Sequence, residues 1–447
     1  MDIATLIPQF GGLLWTIAAF IIALSIIVAV HEYGHYIVGK WCGIKAEVFS
    51  IGFGPVLFAR TDRHGTQWQV AALPFGGYVK FLGDASATSD KAADDYDALP
   101  EAEKRHTMHG APLWARAATV AAGPVFNFVL SILVFGAVIL VQGTPREPLT
   151  VGELRSLPGE SRALQPGDEV LAIAGQRVAD YTEFYNTLDE IGPREAVTYT
   201  IRRDGAERQV TGDWPFPPLI DSLQPRSAAL DAGLSKGDVI VSIDGAPVTA
   251  FRELQEAVAA SEGRALLLEV WQPETGEVAE FTLAPRQVDL PTGDGGFETR
   301  WLIGMTGGLA FVPATESPGP LAALAGGVEQ TVFIIESSLS GLWHMVTGAI
   351  SSCNLSGPIG IAETSGAAAS QGAQSFIWFI AVLSTAVGLL NLFPIPVLDG
   401  GHLVFHAWEA VTGRPPSDRA LQILMGAGLT LMLALMAFAV TNDLFCP

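Results

Sequence analysis

Four long apolar runs punctuate this 447-residue chain. They are "FGGLLWTIAAFIIALSIIVAV" at 10–30, a run within 113–141 centred on "FNFVLSILVFGAVILV", "FIWFIAVLSTAVGLLNLF" at 376–393, and "LQILMGAGLTLMLALMAFAV" at 421–440. Each is close to the ~20 apolar residues that a helix needs to cross a bilayer core. The pattern therefore predicts a polytopic α-helical membrane protein with about four spans. A fifth stretch, 321–350, is interrupted by Glu329 and Glu336 and reads as interfacial or packed against the spans.

Between the second and third runs the pattern changes to short alternating segments bounded by glycine. "LQPGDEVLAIAGQRV" (164–178) and "LSKGDVIVSIDGAPV" (234–248) match at six of fifteen positions with an offset of 70 residues. Each is a Gly-Asp turn, a short strand and a second glycine turn. A helical segment follows each, 181–191 and 251–260, and then strand-like runs ending in hairpin signals. Two such units suit two compact modules rather than a solenoid. The pattern, above all "SAALDAGLSKGDVIVSIDG", resembles PDZ domains in their permuted bacterial form. Such domains bind extended peptides by strand addition; spacers or size filters are the alternative reading. Asp221 stands where the second copy's groove loop often has glycine.

A different strand-like region follows the first span. "AEVFSIGFGPVLFAR" and "TQWQVAALPFGGYVKFLG", joined by the turn "DRHG", predict a membrane-associated β-hairpin or small sheet. Backbone of this kind at membrane depth has to be buried by protein or line a cavity. The polar stretch 84–105 reads as a mobile loop.

The boundaries that follow are 1–142 for the first two spans with the hairpin, 143–214 and 215–300 for the two modules, 301–373 for the interfacial segment, and 374–447 for the last two spans.

Charge adds an orientation. Mean hydropathy is +0.36 and 16% of residues are charged, which fits spans plus a water-exposed part. Eight Lys or Arg lie in 36–112, and Arg414 and Arg419 lie between the last two spans. The positive-inside rule puts these segments in the cytoplasm and both termini and the modules outside. Segment 143–373 holds 31 acidic against 14 basic residues, a net of −17 out of −21, which argues against nucleic-acid binding. The first span has no basic n-region and no small-x-small site, so it reads as an uncleaved span. The three cysteines do not make a disulfide framework, and pairing of Cys353 with Cys446 is left open.

The chemistry concentrates at the end of the first span. HEYGH, residues 31–35, fits H-E-x-x-H. On a helix His31 and His35 sit one turn apart on one face, about 6 Å along the axis. Both can reach one Zn²⁺, with Glu32 placed to deprotonate a water. Burying three ionisable groups in an apolar helix without a shared partner is costly. A third ligand is required, and "NLFPIPVLDGGHLVFH" (391–406) offers one at the same side of the membrane. Its prolines and glycines interrupt the helix and direct Asp399 inward. His402 and His406 form a rival pair at helical spacing.

Together HEYGH, "GFGP", "LPFGGYVK", "AAGPVFNF" (121–128), "SGPIGI" (356–361) and "NLFPIPVLDGGH" resemble the site-2 protease family of intramembrane zinc metalloproteases. With two PDZ modules the chain is similar to the family's bacterial regulator-of-sigma-E group. The resemblance implies Zn²⁺ held by His31, His35 and Asp399, with Glu32 as general base. It further implies that Asn391 and the strand around Gly52, Phe53, Gly54 and Pro55 hold substrate. The implied substrates are single-pass membrane proteins, such as a trimmed anti-sigma factor or remnant signal peptides, cut within the lipid of a bacterial inner membrane. Asn127 is either part of a family motif or an interhelical hydrogen-bonding group. The alternative from another class is a non-catalytic membrane PDZ scaffold with a structural metal site.

Overall fold

The computed structural model describes residues 6–84, 100–159, 163–292 and 296–446. The core of the mobile loop expected at 84–105 thus lies outside the described residues. The chain forms two compact units, 1–138 with 320–343 and 355–446, and 139–319 with 344–354.

Among the described residues, four helices are long and apolar enough to cross a membrane: Gly12–Trp41, Leu113–Gln142, Ala373–Asn391 and Arg419–Phe445. Large apolar side chains such as Leu13, Trp15, Ile423 and Leu433 stand exposed on them, as lipid-facing positions require. Small residues let the spans approach closely. A Cβ added at Gly34 of the first span would lie 2.5 Å from the Ala122 carbonyl oxygen of the second. The second and third spans are joined by hydroxyl-to-carbonyl bonds, Ser131 Oγ to Ala381 O at 2.8 Å and Ser384 Oγ to Asn127 O at 2.9 Å. Phe135 packs edge-on against Trp378 beside them. The helix Pro320–Val346 buries Ala323, Gly327 and Thr331, and Gly327 lies against the second span at Gly136. Helix Pro358–Ser370 packs on the first span, and Asp443 accepts the backbone N–H of Gly357 (2.9 Å) and Ile359 (3.0 Å) at its start.

After the first span, strands Ala46–Thr61 and Gln67–Phe81 form the expected antiparallel ribbon. Its register shifts between Ile51 and Phe58, where Gly52 and Gly54 take φ of +91° and +85°. Glycine adopts that backbone without steric cost, and the bend gives Ser50 two strand neighbours, Tyr78 and Gln69. Ser50 is fully buried; its hydroxyl donates to Gly52 O and accepts from the Gln69 amide.

The second unit contains the repeated modules. Each has a four-stranded antiparallel sheet with the same order. In the first the strands run 176–177, 169–173, 197–203, 206–212, and in the second 246–247, 239–243, 266–271, 278–283. Helices Tyr181–Ile191 and Phe251–Ala260 cover the two sheets, at the positions the apolar pattern predicts. Glycine turns and alternating apolar positions thus produce the expected pair of PDZ-like β-sheet modules. The partition at residue 300 needs refinement. Strands 305–307, 311–313 and 315–316 pair with 220–223, 151–154 and 144–145, so chain beyond 300 completes both modules. Asp221 also has a different setting from the one expected. It lies on strand Ile220–Leu223 and accepts from Arg155 Nη2 at 2.5 Å, whereas the loop facing helix Phe251–Ala260 carries Gly304. Among the cysteines, Cys42 is a free thiol and Cys353 and Cys446 are disulfide-bonded.

The two Gly-Asp turns differ in one respect. Asp168 is completely buried and grips Arg203 through two 2.7 Å bonds, to Nε and Nη2. Its counterpart Asp238 accepts the Ser235 N–H at 2.8 Å, and burial raises its pKa. Replacing Arg203 with methionine leaves the Asp168 carboxylate buried without its cation, which costs about 3–5 kcal/mol. Hydrogen exchange of the intact protein is expected to quicken across 164–212 and to stay unchanged across 234–283. Equal protection in both modules would contradict this account of the turn.

Candidate metal centre

The first span carries HEYGH on an unbroken helix, Leu6–Trp41, so His31 and His35 share a face. The third donor comes from a break in the opposite half of the bundle. The third span's helix ends at Asn391, and a new helix begins at Asp399. Pro394 and Pro396 supply no N–H to a continuing helix. The next two glycines let the new helix press on the turn. A Cβ at Gly400 would lie 2.3 Å from Leu392 O, and one at Gly401 2.3 Å from Ile395 O. The sequence DGG is thus required for Asp399 to begin its helix here.

Among the described residues, His31, His35 and Asp399 are the only three of their kind whose donor atoms converge within 4.8 Å. His31 Nε2 lies 3.1 Å from Asp399 Oδ2 and 3.1 Å from His35 Nε2, and His35 Nε2 lies 3.5 Å from the same oxygen. A tetrahedral zinc with ligands at about 2.0–2.1 Å spaces them roughly 3.3 Å apart. The donor chemistry fits as well. His35 Nδ1 donates to the Thr119 carbonyl at 2.8 Å, which in a neutral ring leaves Nε2 as a bare lone pair. Asp399 Oδ2 is buried and receives no hydrogen bond. Lone pairs facing one another at these distances suit a cation between them.

Glu32 stands beside this cluster. The absence of a side chain at Gly77 makes room for it, since a Cβ there would be 3.1 Å from Glu32 Cγ. The metal ligands and Glu32 line one cavity of about 720 Å³. Gly77, Tyr78, Val79 and Phe81 form part of its wall, as do His402, His406 and Arg116. Such a volume holds several waters. Arg116 grips Glu409 through bonds of 3.0 and 2.6 Å, tying the second span to the helix that carries Asp399.

The structure therefore brings together His31, Glu32, His35 and Asp399. Asn391 lies at the last turn of its helix, where its amide donates to Val387 O at 3.1 Å. Neither Asn391 nor Gly52, Phe53, Gly54 and Pro55 lines the cavity. The bend at Gly52 and Gly54 carries that run away, and the opposing run 77–81 takes its place. His402 and His406 line the cavity but lie outside the three-donor group.

Sequence reasoning missed one feature of the second span. Thr119, Gly123 and Asn127 recur at intervals of four and so share one helix face. All three meet the histidines. Thr119 binds His35, Asn127 Nδ2 lies 3.2 Å from His31 Nδ1, and a Cβ at Gly123 would fall 2.3 Å from His35 Nε2. The available signal was a small-and-polar stripe at helical spacing in an otherwise apolar helix.

With this geometry in place, similarity to known proteins is informative. Residues 19–435 match the model of peptidase family M50. A protein of Agrobacterium fabrum described as a zinc metalloprotease is 34% identical, covering 98% of both chains. The regulator of sigma-E protease RseP of Escherichia coli is 34% identical over 96% of this chain and 98% of its own. The Salmonella typhimurium protein of that name is 33% identical over 97% and 99%.

The close fit at Gly123 generates a prediction. Gly123→Ala drives a methyl group into the His35 ring and should sharply reduce the zinc co-purifying with the protein, measured by elemental analysis. Gly428→Ala, whose Cβ would meet the Pro396 ring at 3.0 Å rather than a metal ligand, should leave zinc content intact. Full zinc content in Gly123→Ala would contradict the packing described.

Proposed function

This chain belongs to peptidase family M50 as a multi-pass intramembrane zinc metalloprotease, and from that premise we propose that it cuts single-pass membrane proteins within their spans. The observation that carries this reading is the convergence of His31, Glu32, His35 and Asp399 on one cavity of about 720 Å³ among apolar helices. His31, His35 and Asp399 are the residues that would hold zinc. Zinc bound there supplies a Lewis acid that polarises a carbonyl and brings the pKa of water toward 7.

Glu32 is the general base. Its carboxylate takes the proton of the attacking water and passes it to the leaving amine. A substrate span has to unwind before its peptide bond is accessible, because helical carbonyls are occupied by the helix's own N–H groups. The strand run Gly77–Phe81 lines the cavity and is suited to pairing with the freed backbone. We assign Asn391 and the bend Gly52–Phe53–Gly54–Pro55 to holding the unwound segment as it approaches.

The distribution of Lys and Arg supports an inner-membrane orientation with the site near the cytoplasmic side and the modules outside. The disulfide-bonded state of Cys353 and Cys446 suits an oxidising exterior. The name of the E. coli relative, regulator of sigma-E protease, supports a role in sigma-factor regulation, and we assign this chain an anti-sigma-factor-type substrate that is first trimmed outside. In the second module a cleft of about 480 Å³ runs between helix Phe251–Ala260 and residues 299–305, lined by Leu254, Val258, Ile303 and Met305. The space beside the first module's helix Tyr181–Ile191 is about 210 Å³, and Arg252 and Gln255 of the second module take up part of its wall. This difference favours the second module as the one that meets a trimmed substrate's new C-terminus, with the first serving as spacer or size filter.

Glu32→Gln should retain zinc and lower cleavage of a co-expressed single-pass substrate by about 10²–10⁴-fold, read by product mass. Undiminished cleavage would defeat the protease mechanism in favour of a scaffold with a structural metal. Asp399→Ala should abolish both zinc retention and cleavage. Deleting 150–313, which removes both modules with the strands beyond 300 that complete them, separates the module roles: loss of cleavage of a pretrimmed substrate indicates recognition, and gain of cleavage of the untrimmed form indicates a filter.

A further inference from the structure

Each histidine of the cluster has two ring nitrogens, and only one can face the metal position. The other must be held if the ring is to stay in place with its inner nitrogen bare. For His35 this is done by the backbone, through Nδ1 to Thr119 O at 2.8 Å. For His31 the group at Nδ1 is the side-chain amide of Asn127, 3.2 Å away. Asn127 is completely buried, and its Oδ1 has no hydrogen-bond partner.

We propose that Asn127 is the positioning residue for His31, accepting the His31 Nδ1–H on its side-chain oxygen and so keeping Nε2 free to bind a divalent cation. The two ends of an amide are alike in shape, and which end points where is set by the hydrogen bonds. With the amide nitrogen toward the ring, Nδ1 has to be the acceptor and the ring proton sits on Nε2, directed into the cluster. With the oxygen toward the ring, the proton sits on Nδ1, Nε2 is bare and the buried Oδ1 gains its missing donor. The amide orientation and cation binding at His31 are thus coupled. One orientation suits the empty cluster and the other the loaded one.

The backbone around Asn127 is fixed independently of the side chain. Its carbonyl accepts from Ser131 Oγ at 3.0 Å and from Ser384 Oγ at 2.9 Å. Gly388 of the third span packs on its Cβ, where an added methyl group would lie 3.1 Å away. Asn127 therefore stands between His31 on the first span and the third span, whose end leads to Asp399. One side chain registers the two sources of metal ligands against each other. The interhelical contacts belong to its backbone, and its amide belongs to the metal centre.

This inference rests on the reading of His31 as a zinc ligand, and the experiment separates the two. Zinc affinity of the full-length protein in detergent is measured by competition with a chromophoric chelator, alongside thermal melting of the metal-free form. Asn127→Leu keeps the volume and removes the acceptor; it should lose about 10–100-fold in zinc affinity with little change in metal-free melting. Asn127→Asp keeps an acceptor oxygen and should stay within a few-fold of wild type, a result that stands even if the leucine variant fails to fold. Wild-type affinity in Asn127→Leu, or a loss in Asn127→Asp as large as in Asn127→Leu, would overturn the proposal. Wild-type affinity in His31→Ala would instead overturn the ligand assignment on which it rests.

Discussion

Three metal-ligating atoms lie within 3.1–3.5 Å of one another among membrane helices, and no hydrogen bond from the described residues reaches the shared oxygen Asp399 Oδ2. An ionised side chain carries a desolvation cost of roughly 2.5–3.5 kcal/mol or more at this depth, and once both Nε2 atoms are bare, lone pairs this close repel. Such an arrangement is unstable by itself and becomes favourable around a divalent cation. The rest of the first unit can be understood as the set of devices that impose this convergence. The metal offsets the cost of polar groups that the apolar spans would otherwise exclude.

Those devices are mostly small residues and broken helices. Gly34 and Gly123 let the first two spans approach until the second span's backbone touches the histidines. Two prolines stop the third span short, and Gly400 and Gly401 start the next helix close against the turn, directing Asp399 back toward the first span. The β-ribbon supplies the remaining wall, with Gly77 leaving space for Glu32. An active centre in lipid needs water and non-helical backbone, and both are tolerated where protein encloses them. The cavity of about 720 Å³ meets that condition.

Much of this was legible in the sequence because it is locally encoded. Apolar runs marked the spans, the i, i+4 histidines named their own geometry, and the Gly-Asp repeat predicted two modules with helices at 181–191 and 251–260. Asp399 was legible through its proline- and glycine-rich neighbourhood at the end of the third apolar run. Other features depend on partners far away in sequence. The strands at 305–316 are short, rich in glycine and proline, and acquire their identity only by pairing with residues 82–172 positions earlier. Gly52–Pro55 has strand composition, and only the backbone bend shows that Gly77–Phe81 faces the cavity instead. Asn127 could be recognised as polar in an apolar helix, but its partner became identifiable only once the face of the second span was known.

The central claim is that one zinc is bound by two imidazoles and one carboxylate drawn from the first span and from the break after the third. Zinc-edge X-ray absorption of the purified full-length protein tests it most directly. The account predicts one zinc per chain, with nitrogen and oxygen scatterers at about 2.0–2.2 Å and outer-shell scattering from two histidine rings. A spectrum with sulfur scatterers, or with three or more imidazoles, would contradict it.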